Sequence, residues 1–126
     1  MPELTPVLEN VLDDDSIISN FSSIALGKKT TDKVLLQFLG LVKARSEKSE
    51  AYRDLIIPVC KQLEKRIKMR GKDGIKCTIL YLGVLGNLLR NCEEKSVVLE
   101  KYGSMLISYA TSGDSGLAKE SVDCLS

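Results

Sequence analysis

With 126 residues, 44% of them hydrophobic and 28% charged, the chain is the size of one domain with a buried core, and too apolar for an unfolded tail. A formal net charge of +1 argues against gripping nucleic acid by bulk charge, and the absence of His removes the commonest acid–base and zinc chemistry. Aromatic residues make up only 5% and Trp is absent, so Leu, Ile and Val must supply most of the core, which suits stacked helices.

Pro6 to Leu12 reads as a short amphipathic helix closed by Asp13-Asp14-Asp15. That triplet is a solvated helix start rather than a cation site: its carboxylates suit the positive end of a helix predicted from Ser16 to Leu26. Gly27-Lys28-Lys29 breaks the pattern, and it is no phosphate loop, because Ser22 stands where that motif needs an earlier glycine. Thr31 is a candidate N-cap, with Asp32 in the first turn. Val34, Leu35, Phe38, Leu39, Leu41 and Val42 follow at helical spacing, and the helix is expected to end near Ala44 in the polar loop 45–49.

Tyr52, Leu55 and Ile56 give a short helix after Ser49. Pro58 then fits the first position of a new helix running to about Arg70, with Val59, Cys60, Leu63 and Ile67 inward. Gly71 is a plausible C-terminal cap in the turn 71–74. From Gly74 to Leu89 the pattern is apolar nearly all round, which predicts the central and most buried helix. Its longest apolar run, Thr78–Leu89, is too short to span a bilayer. After Asn91 the pattern predicts a short helix at Lys95–Tyr102, a bend at Gly103 and a second helix at Ser104–Thr111. Ser112-Gly113-Asp114 turns into a last helix with Leu117, Ala118, Val122 and Leu125 inward and Lys119, Glu120 and Asp123 outward.

Cys60, Cys77, Cys92 and Cys124 are scattered, with no framework spacing and no His to complete a metal set, so neither a metal nor any other cofactor is expected. With no signal peptide in view, they suit a reducing compartment, and the expectation is a cytoplasmic protein.

Leu39-Gly40-Leu41-Val42 is matched 46 residues later by Leu85-Gly86-Asn87-Leu88, and Leu85 corresponds to Leu125 after a further 40. Both periods lie in or near the range of two- and three-helix repeats. On these residues the chain resembles the armadillo repeat family, and more loosely the HEAT family. Leu85-Gly86-Asn87-Leu88 would close a third helix, Lys101-Tyr102-Gly103 would bend between first and second helices, and Ile57-Pro58 would make the same bend one unit earlier. The resemblance implies an all-α, right-handed solenoid in one domain, with approximate units 1–44, 45–88 and 89–126. Because the last unit stops inside its third helix, a fragment of a longer array is expected.

In that family third helices line a concave groove for extended peptides, and an Asn near the end of each bonds the peptide backbone. Asn87 matches that Asn; the Trp found four residues earlier in nuclear-import adaptors is replaced by Gly83, and the first unit carries Leu41 at the Asn position. The same register lines the concave face with Lys33, Gln37, Asn87, Lys119 and Asp123. Taken alone, Asn87 suits a bond to its own neighbouring backbone better than a ligand contact.

Charge is uneven. Residues 1–15 hold five acidic side chains and no basic one, whereas the segment Lys61–Lys76 holds Lys61, Lys65, Arg66, Lys68, Arg70, Lys72 and Lys76 against Glu64 and Asp73. A solvated helix face accounts for that basic run, as does a docking patch. The expectation is a non-enzymatic protein–protein interaction module or scaffold with no small-molecule substrate, open to self-association through its acidic start and basic middle. The alternative is a helical trafficking adaptor touching anionic membrane or RNA through Lys61–Lys76; no aromatic platform is interleaved there, which disfavours RNA.

Overall fold

The computed structural model describes residues 14–25, 31–67, 71–90 and 92–125. Among these the protein is all-helical, with six α-helices and no strand: α1 (Asp14–Ala25), α2 (Asp32–Ser46), α3 (Ile56–Arg66), α4 (Lys72–Arg90), α5 (Lys95–Ala110) and α6 (Ser115–Leu125), plus a 3-10 segment at Glu50–Leu55. The expected helix at Pro6–Leu12 and the break at Gly27-Lys28-Lys29 lie outside the described residues.

Each helix starts and stops for a local reason. Thr31 accepts a hydrogen bond from the Val34 amide and caps α2, which carries Lys43 and Arg45 in its last turn, where they suit the negative end of the dipole. Ser49 takes the Ala51 amide at the start of the 3-10 segment. Asp14 and Asp15 occupy the first turn of α1. Asp14 Oδ1 also accepts from Arg45 Nη1 at 3.0 Å and from the Tyr52 hydroxyl at 2.6 Å, so it ties α1 to α2 and to the 3-10 segment. Gly71 and Gly113 both adopt positive φ, +99° and +93°, which a residue with a Cβ rarely tolerates; they turn the chain into α4 and toward α6. Asp114 caps α6 by accepting the Leu117 amide at 3.0 Å.

Four expectations about boundaries and faces are corrected. Ile67, expected inward on α3, follows its last residue and is 40% exposed. Pro58 is the third residue of α3 rather than the first; it still lies in the first turn, where a missing N–H interrupts no helical bond. Lys95–Ala110 is one continuous helix, with no bend at Gly103. Tyr102 before the glycine and Met105, Leu106 and Tyr109 after it are all buried, so both halves must lie along one line to reach the same core. On α6 the buried stripe is Leu117, Ser121 and Cys124; Ala118 and Leu125 are half-buried, and Val122 is 52% exposed. Cys124, read from sequence as a small core residue, packs against α4, whereas Ser121 is buried with its hydroxyl bonded to the Leu117 carbonyl, which lets a polar residue take the place expected for Val122.

The core is continuous and built mostly from aliphatic side chains. α4 runs through its middle, burying Cys77, Tyr81, Leu82, Val84, Leu85, Leu88 and Leu89 against α2, α3 and α6. Thus α2, α4 and α6 lie side by side with α4 between the others, while α1 packs on α2, α3 on α4 and α5 on α6. Phe21 joins α1 to α2 and α4, its ring 5.8 Å from Phe38 of α2 and edge-on to Tyr81 of α4 at 6.4 Å. The Tyr109 hydroxyl of α5 donates to the Leu63 carbonyl of α3.

Candidate binding cleft

α4 is apolar on most sides, but one stripe along it is small or polar. Gly83, Gly86, Asn87 and Arg90 fall at i, i+3, i+4 and i+7 and so face the same way. That stripe forms the floor of a cleft of about 420 Å³. One wall is the end of α2, with Lys43 and Glu47; the other is α6, with Glu120, Asp123 and Cys124, and Lys95 stands at the start of α5. A smaller cleft of about 170 Å³ continues past the end of α2, lined by Ser46, Lys48, Ser49 and Arg53, and shares Glu47 and Asn87 with the first.

The glycines let the neighbouring elements come close. A Cβ at Gly83 would lie 2.9 Å from Lys43 Cε and 3.2 Å from its Nζ, so the Lys43 chain lies down in the notch this glycine leaves. Beside Gly86 the Cys124 sulfur approaches α4 and donates to the Leu82 carbonyl at 3.2 Å. Burial pushes this thiol up to about 12, helped by Glu120, Cys60 and Asp123 and opposed by Lys95. At 1% exposure it is a packing group, not a nucleophile.

Asn87 has a role the spacing did not reveal. Its amide nitrogen donates to the Lys43 carbonyl at 2.9 Å and to Ser46 Oγ at 3.3 Å, both on α2. Its carbonyl oxygen accepts from Arg90 Nη2 at 3.5 Å. The side chain therefore ties two helices together across 44 residues of sequence, while it also holds Arg90 of its own helix and lines the cleft floor.

Of the other residues expected on this face, Asp123 lines the cleft. Lys33 and Gln37 sit in the first half of α2, exposed and half-buried respectively, and Lys119 is exposed on α6; none of the three lines it. Of the described members of the basic run, four are exposed and Arg66 is buried. Lys61 and Lys65 are exposed on α3 and flank a cleft of about 200 Å³ with Phe21, Ile57 and Pro58, while Lys72 and Lys76 are exposed at the start of α4. Arg66 is only 9% exposed: its guanidinium lies over the Tyr81 ring, 5.1 Å from the centroid, and donates to the Gly74 carbonyl at 3.4 Å. Lys68 and Arg70 are outside the described residues.

Comparison with protein-family models, curated proteins and solved structures finds no match. The residues of the cleft are thus the ground for a functional reading. Among the described residues no group of three or more His, Cys, Asp or Glu is arranged to hold a metal ion, and no helix is long and apolar enough to cross a membrane. Lys43, Glu47, Arg90 and Lys95 join the cleft without having been singled out from sequence, whereas Gly83 and Gly86 belong to the motif that carried the resemblance and Glu120 was expected to face outward. The signal was there for the α4 members, as a polar and glycine stripe interrupting an otherwise apolar helix.

Proposed function

We propose that the chain is a non-enzymatic, cytoplasmic protein-interaction module built as an α-solenoid of about three armadillo-like units, holding an extended partner segment along α2, α4 and α6. The observation that carries this reading is the adjacency of those three helices. They occupy the positions that the resemblance gives to third helices, they follow one another side by side, and their shared face carries an elongated, polar-lined cleft. The one-helix-on-each pattern of α1, α3 and α5 is the second layer that such a stack needs, since a single helix pair cannot bury its own apolar faces. A floor of glycines and short polar groups suits a backbone that must approach closely.

The test is photo-crosslinking. A photoreactive amino acid at Asp123 in the cleft is compared with one at Ser104, which is exposed on α5. Crosslinks to the same partner segment from position 123 but not 104, lost when Gly86→Arg fills the floor, are expected. Equal yields from both positions would refute the reading.

A further inference from the structure

The cleft is electrically lopsided. On the α2 side the Lys43 ammonium lies in the Gly83 notch, and Arg90 stands about two turns further along the floor. On the α6 side stand Glu120 and Asp123, three residues apart and so on one face of that helix. Lys43, Glu120 and Asp123 make no ion pair among the described residues, where the one salt bridge joins Arg45 to Asp14. Glu47 is exposed at the end of α2, where the larger cleft passes into the smaller, and Lys95 faces the α6 wall from the start of α5.

Packed helix axes lie ~8–10 Å apart, so side chains of α2 and α6 that overhang α4 face each other across roughly 10 Å. That is too far for a bridge and about the reach of three extended residues. Held apart in this way, Lys43 and the Glu120 and Asp123 carboxylates find no partner in each other across the cleft. From this we infer that the cleft selects a polypeptide segment carrying one acidic and one basic side chain about three residues apart, its carboxylate toward Lys43 and Arg90 and its cation toward Glu120 and Asp123. The inference rests on the cleft being a peptide site, and it adds the charge pattern of the occupant. Segments of a single sign gain on one wall and are repelled by the other.

Four fluorescein-labelled Ser/Ala peptides of equal length, bearing one Asp and one Arg, two Asp, two Arg, or no charge, are titrated with the full chain and read by anisotropy. The mixed peptide is expected to bind about fivefold tighter than either single-sign peptide, the preference shrinking as salt is added. Lys43→Glu makes both walls acidic and should move the preference to the two-Arg peptide. Glu120→Lys with Asp123→Lys should move it to the two-Asp peptide. The neutral variants Lys43→Gln and Glu120→Gln/Asp123→Asn, with melting curves for every protein, keep the test valid if a reversal unfolds the chain. Binding led by a single-sign or uncharged peptide overturns the charge pattern and leaves the peptide cleft standing. Failure of all four peptides to bind removes both.

Discussion

Asn87 gives both amide N–H groups to α2, one to a backbone carbonyl and one to a serine hydroxyl, and its oxygen holds Arg90. Asn87→Ala should lower stability by about 1–2 kcal/mol, because it leaves those half-buried partners without a replacement; a urea midpoint reads this directly. Asn87→Asp, which cannot donate, should be no better. Thiol chemistry offers a second check at this scale. Cys60, Cys77 and Cys124 are buried, and burial above all raises their thiols to about 12, 11 and 12, while Cys92 is half-exposed. A chromogenic disulfide at neutral pH should label one cysteine quickly in the native chain, Cys92, and all four after denaturation. Two fast-reacting thiols in the native state would contradict this packing.

Among the elements, α5 and α6 show what hydrophobic spacing carries and where it fails. Sequence reading placed helix in each of the six described segments, though it cut α5 into two, because a buried stripe must recur with the helical turn whatever its partner. It misjudged Gly103, because a glycine is a weak argument for a bend when buried residues flank it on both sides. Gly103 has an ordinary helical φ and open space around the position of a Cβ, as Gly40 does in α2. Gly103→Ala and Gly40→Ala should therefore each stabilise the chain by about 1 kcal/mol, seen as a higher melting temperature. Gly83→Ala gains less, since its new methyl must push the Lys43 chain aside. The cleft was legible only in part for a related reason. Asp123 and Asn87 follow from register, whereas the tilt of Lys43 into a notch on another helix, or the turning inward of Arg66 onto Tyr81, depends on contacts between segments far apart in sequence.

For the molecule as a whole, pH acts mainly through acids kept neutral by burial. Tyr81 and Tyr109 are raised from about 10 to about 12, and the three buried thiols from 9.0 to 11 or 12; Tyr52 moves the same way, by burial and then by its bond to Asp14. The unfolded chain releases these protons first, so their contribution to stability is complete below the ordinary values and lost as pH rises through the folded ones. The urea midpoint should be level, as far as these groups decide it, from about pH 6 to 8, and fall steeply between about pH 10 and 12. A flat alkaline limb would mean that the interior admits water. α4 carries a further consequence. The fold joins α2 and α6 chiefly through this one shared helix, so whatever lies across the glycine floor becomes a cross-brace between the two outer beams, and its arrival should be felt as slower hydrogen exchange in both at once.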